Sequence, residues 1–168
     1  MKQPSLFLTV VAALMLAACS ADYTPVETFV EADDPVALTS EQEAAWGEVS
    51  KRLNGGWGCP DLRYSRSVVP TTLDQEAYHL TAWRGERVSA QLLLWSAEGV
   101  DGVECEIAPL KGDGATLPAS IAEARFGRYT IADEQNYNFK KGGPAVLMPD
   151  MLDSLSTFDM AARTTRPV

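Results

Sequence analysis

Residues 77–95 read AYHLTAWRGERVSAQLLLW, and the way this stretch folds decides the fold of the chain. Arg84-Gly85 is turn chemistry, since glycine takes up tight-turn backbone conformations at no steric cost. The segments on either side, AYHLTAW (77–83) and ERVSAQLLLW (86–95), are rich in β-favouring residues. A period of two puts Val88, Ala90, Leu92 and Leu94 on one face of the second segment. The stretch predicts a β-hairpin with that face toward a core.

Downstream, the same kind of pattern recurs. VECEIAPL (103–110) alternates Val103, Cys105 and Ile107 with Glu104 and Glu106, so Cys105 is expected to point inward and the glutamates outward. LKGDGATLP (110–118) is turn chemistry, with Gly112, Gly114 and Pro118. ARFGRYTIA (124–132) reads as a strand, and AVLMPDMLD (145–153) as an apolar stretch cut by Pro149 whose end has helix-start character. Upstream lies one helical signal. Ser40 and Glu43 are spaced as a capping box, and Trp46, Val49 and Leu53 recur at helical spacing until Asn54-Gly55-Gly56. NGGWG (54–58) lacks the Lys-Ser/Thr of a phosphate-binding loop and reads as a plain loop. Short strands, Gly/Pro turns and a single short N-terminal helix predict a mainly β fold, an antiparallel β-sandwich.

The chain opens with one charge, Lys2, and an apolar run from Leu6 to Ala18 that is short for a bilayer span. It closes on Leu16-Ala17-Ala18-Cys19, which resembles a bacterial lipoprotein box and makes Cys19 the expected lipidation site. Several acyl chains on one residue anchor firmly, whereas one alone is marginal. The expected organisation is therefore a lipoprotein signal peptide at 1–18, an acidic, proline-punctuated tether at 19–38 and a sandwich domain at 39–168. Lipid anchoring to a membrane of the bacterial cell envelope, facing the periplasm or the surface, follows from that reading. A net charge of −9 with no Lys/Arg cluster argues against nucleic acid as a partner.

Export also governs the remaining cysteines. Cys59 and Cys105 could pair in an oxidising compartment, a cross-link worth about 4 kcal/mol by loop closure, or remain as two buried thiols. Two cysteines and the single histidine, His79, lack the spacing of a metal site, so no metal and no other cofactor is expected. His79 sits in an expected strand without a nucleophile motif and reads as structural. Trp57, Trp83 and Trp95 are candidates for stacking on carbohydrate, with core filling as the alternative. Glu104 with Glu106, and Asp150 with Asp153, are explained by strand alternation and by a helix start, and no catalytic residue is assigned among them.

Taken together, CPDLRYSRSVVP (59–70), HLTAWRGERVSAQLLLWS (79–96), RFGRYTIADE (125–134), LMPDMLD (147–153) and FDMAARTTRPV (158–168) resemble the N-terminal domain of proteins related to glycoside hydrolase family 123. The resemblance implies a β-sandwich that precedes a catalytic (β/α)-barrel active on β-linked N-acetylgalactosamine. The family's catalytic Asp-Glu pair belongs to that barrel. Asp133-Glu134 has the same letters in the sandwich, so no catalytic role passes to it. By the same resemblance TTRPV (164–168) looks like the lead-in to a further strand, and the expectation is a truncated chain that stops inside a domain with the sandwich incomplete at its C-terminal strand and the barrel absent. The expected function is that of a lipid-anchored, non-catalytic module, with a glycan or a companion catalytic domain as partner. A free-standing carbohydrate-binding lipoprotein is the alternative.

Overall fold

A computed structural model describes residues 30–168, except 72, 74–76, 113, 133–144, 154 and 156. Residues Glu31–Val168 form one compact unit. The expected signal peptide, Cys19 and Asp133-Glu134 lie outside the described residues.

Helix α1 runs Ser40–Glu48. Its cap is one residue earlier than the sequence pattern suggested. The Thr39 hydroxyl accepts from the Gln42 N–H at 3.2 Å and the Gln42 side chain accepts from the Thr39 N–H at 2.9 Å, a complete capping box. The helix also stops early, at β-branched Val49 in extended geometry, and Leu53 is left 40% exposed. Trp46 carries its buried face, with the indole N–H donating to Ser67 O at 2.8 Å.

The strands are β1 (Asn54–Gly58), β2 (Gln91–Ser96), β3 (Val100–Glu104), β4 (Leu110–Gly112), β5 (Ala115–Leu117), β6 (Phe126–Ala132), β7 (Val146–Asp153), β8 (Thr157–Met160) and β9 (Thr164–Pro167). All pairings are antiparallel. Strands β1, β2 and β9 form one sheet in that order, and β3–β8, β4–β5 and β6–β7 are pairs.

The expected 77–95 hairpin is not formed. The turn at Arg84-Gly85 is present, with Gly85 at φ +82° and the Glu86 N–H donating to Trp83 O at 3.0 Å. Residues 77–83 form no strand, however, and β2 pairs instead with the glycine-rich β1. That strand looked like a loop because glycine disfavours strands; here the glycines make room. A Cβ on Gly56 would lie 3.1 Å from Leu73 Cδ1, and one on Gly58 would lie 3.1 Å from both Leu93 and Tyr64.

Strand β2 also departs from the expected single inward face, since both of its faces are covered. Leu93, Trp95 and Ser96 are buried, Leu92 and Leu94 are half-buried, and Val88 and Ala90 are exposed. Cover on both faces removes the polar alternation that reveals facing. On one side Leu93 and Trp95 meet Trp46, Val49, Tyr64, Val69 and Leu73. On the other, Leu94 packs with Val103 of β3, Phe126 of β6 and Met160 and Phe158 of β8. Antiparallel strands thus pack on both sides of this second core, as expected for a mainly β, sandwich-like fold.

Two bulges shape the outer pairs. In β3, Gly102 at φ +65° sits where the register with β8 shifts, and its N–H donates to Asp159 at 2.8 Å. In β7, Tyr129 pairs with Pro149 and Arg128 with Met151, which leaves Asp150 as the extra residue. The bulge lets one strand continue through Pro149, where a break and a helix start were expected. LKGDGATLP, expected as a turn, is a small hairpin of β4 and β5 around Gly114 at φ +74°.

Strand β9 gives TTRPV a place in the sheet. Leu92 and Val168 exchange backbone hydrogen bonds at 2.7 and 2.9 Å, and Thr165, Arg166 and Pro167 are buried. The far edge of β9 is occupied at Thr165, whose N–H donates to Arg66 O at 2.7 Å and whose carbonyl accepts from the Tyr129 hydroxyl at 3.0 Å.

Candidate functional site

The three tryptophans proposed for carbohydrate contact are in three different environments. Trp95 is a core residue of β2, 8% exposed, and its indole packs over Gly56. It fills the core, the alternative that the sequence left open. Trp57 is half-buried on β1 and stacks on Tyr78, with centroids 5.9 Å apart and ring planes 26° apart. Trp83 is 85% exposed. Its turn is fixed from both ends, since the Trp83 N–H donates to the Glu86 carboxylate at 2.7 Å and the Glu86 N–H returns to Trp83 O. An exposed indole on a pinned turn presents a flat apolar face at little conformational cost, which is what stacking on a sugar ring requires.

The candidate acids do not converge on a cleft. Glu104 and Glu106 are exposed at and beyond the end of β3. Asp150 pairs with Arg63 at 3.4 Å on the surface, while Asp153 forms a largely buried ion pair with Arg128. Both aspartates sit in β7, where a helix start was expected. His79 is exposed and lies outside any strand. Cys59 and Cys105 are free and exposed, so neither of the expected states, a disulfide or buried thiols, is present. Cys105 lies just beyond β3, after the inward-facing Val103, and there the alternation no longer applies. Among the described residues no group of acids, cysteines and histidine is placed to hold a metal ion, and no helix is long and apolar enough to cross a membrane.

The most organised polar site is one that sequence reading missed. Glu31 falls in the expected tether, yet its side chain is only 13% exposed and lies between Arg166 of β9 and Arg66. Both Arg166 Nη atoms donate to this carboxylate, the Nη2 bond to Oε2 measuring 2.7 Å, and Arg66 Nη1 lies 3.4 Å from Oε2. The Tyr129 N–H donates to Oε1 at 2.9 Å, and Arg166 Nη1 also donates to Gly127 O at 2.7 Å. Gly127 and Tyr129 lie two apart on β6 and present their backbone groups to the same side. Glu31 and Arg166 thus occupy an edge of β6 where no strand among the described residues is hydrogen-bonded.

Arg166 stacks on Phe158, its guanidinium carbon 4.2 Å from the ring centroid, and lies 5.1 Å from that of Tyr129. Burial pushes the Glu31 carboxyl up, but the Arg166 and Tyr129 hydrogen bonds and the charges of Arg166 and Arg66 outweigh it and hold the group below the usual glutamate value. Burial dominates at Tyr129 and raises its phenol, which stays protonated and donates to Thr165 O. Next along the lead segment, Asp34 accepts from the Ser67 hydroxyl at 2.7 Å. Residues 31–38, which fall within the expected tether, are therefore part of the compact unit. The local clues were slight: an arginine in the short β9 segment TTRP and a glutamate following VETFV.

Fold and site together define a mainly β, antiparallel domain whose strongest polar cluster is structural. Residues 57–168 match the glycoside hydrolase 123 N-terminal domain, and the chain belongs to that family. A comparison with curated proteins found no match. The matched span takes in Trp57, Trp83, Arg66 and Arg166; Glu31 and α1 precede it.

Proposed function

We propose that this chain is a non-catalytic β-rich module of the glycoside hydrolase 123 type, held at a bacterial envelope membrane by lipid on Cys19, and that it serves a catalytic domain acting on β-linked N-acetylgalactosamine. The family match over residues 57–168 carries the reading. The Leu-Ala-Ala-Cys order at 16–19 supports the anchor. Expression of the full chain with a clickable palmitate analogue tests the anchor. Label and membrane association should both be lost in Cys19→Ser, and label that persists in that variant would overturn the assignment of Cys19.

A second reading, a free-standing carbohydrate-binding lipoprotein, draws on the exposure of Trp83 and on the Trp57–Tyr78 stack. It predicts that Trp83→Ala weakens binding to amino-sugar glycans at unchanged thermal stability. No binding by the unmodified protein would end it.

A further inference from the structure

We propose that Arg66 and Arg166, with the Tyr129 N–H, form a carboxylate receptor, and that Glu31 is its ligand in cis, which makes residues 31–38 a docked latch on the domain. Two guanidiniums and one backbone donor converge on a single carboxylate, each of whose oxygens accepts at least two hydrogen bonds. Paired donors of this kind select a planar carboxylate over a spherical anion. The site is built into the fold. Arg166 is 5% exposed, held between Gly127 O and the Phe158 ring, and Arg66 is 16% exposed.

The ligand comes from outside the strands. Glu31 lies on an irregular segment ahead of α1, and Asp34, through Ser67, provides a second attachment. Undocking would leave two buried cations without their anion and the Tyr129 N–H without its acceptor, so docking of the segment and integrity of the β6–β9 seam are one equilibrium. The inference does not depend on lipidation of Cys19 or on glycan binding.

Chemical rescue in the full chain tests it. Glu31→Ala should lower the thermal midpoint by about 10 °C, the loss expected for a buried ion pair broken from one side in a domain of this size. Sodium acetate should then restore a saturable part of that loss, and sodium chloride at equal ionic strength should not. Acetate refills the receptor but not the latch, so thermolysin should still cut faster at Val36 and Leu38 in the rescued variant than in the parent. If Glu31→Ala does not fold in buffer, its refolding yield in acetate against chloride reads the same property. A variant as stable as the parent, or an acetate response no larger than that to chloride, would overturn the proposal.

Discussion

Gly127→Ala adds one methyl group where β6 passes β9, and the structure determines its cost. The Cβ would lie 2.9 Å from Pro167 Cγ and 3.3 Å from Pro167 O, where carbon–carbon contact is comfortable at about 3.5–4.0 Å. Backbone conformation does not contribute, because Gly127 is not among the glycines with positive φ. Pro167 cannot retreat easily. It pairs with Leu93, and the following residue exchanges two hydrogen bonds with Leu92. The strands must therefore separate across a seam that also carries the 2.7 Å bond from Arg166 to Gly127 O. Overpacking of this kind costs about 1–3 kcal/mol, which lowers the midpoint by about 3–10 °C in a domain of this length. Circular dichroism melting of the full chain measures it. Gly47→Ala is the control, since nothing lies within 4 Å of its Cβ and it sits in α1, where alanine is favoured by about 1 kcal/mol. A Gly127→Ala midpoint equal to or above the parent, or an equal fall in both variants, would refute the packing of β6 on β9.

Other outcomes follow from the same geometry. Because the Glu31 carboxyl is held below its ordinary value of 4.5, the stability it provides is complete above about pH 4.5 and is lost as pH falls further; melting between pH 3 and 6 should show that loss, and Glu31→Gln should flatten it. Trp95→Ala should cost about 3–5 kcal/mol in denaturant unfolding, as expected for a core aromatic, whereas Trp83→Ala should leave the midpoint unchanged. Ellman's reagent should label Cys59 and Cys105 in the native protein without reductant, and the midpoint should be the same with and without dithiothreitol.

Local chemistry was legible where it depends on nearby residues. The Arg84-Gly85 turn, the strand within ARFGRYTIA and the existence of α1 all rest on short-range signals, and all are present. What escaped depends on long-range partners. The glycines of β1 read as a loop because the side chains they accommodate, Leu73, Tyr64 and Leu93, come from elsewhere in the chain. A single inward face was expected of β2, whereas cores lie on both of its sides. Pro149 suggested a break, since a bulge that absorbs it requires β6 as a partner. Glu31 looked like one more acid in an acidic segment, because Arg166 lies 135 residues away. The tryptophans show the same limit. Trp57, Trp83 and Trp95 are equivalent as letters, and only the packing separates a core residue from an exposed one.

The most direct test of the functional account is saturation-transfer NMR of the full chain with a β-linked N-acetylgalactosaminyl oligosaccharide, followed over time. A non-catalytic, glycan-contacting module predicts transfer to the sugar protons, its loss in Trp83→Ala, and an oligosaccharide that stays intact throughout. Release of free N-acetylgalactosamine would contradict the non-catalytic assignment, and an absence of transfer would contradict glycan contact.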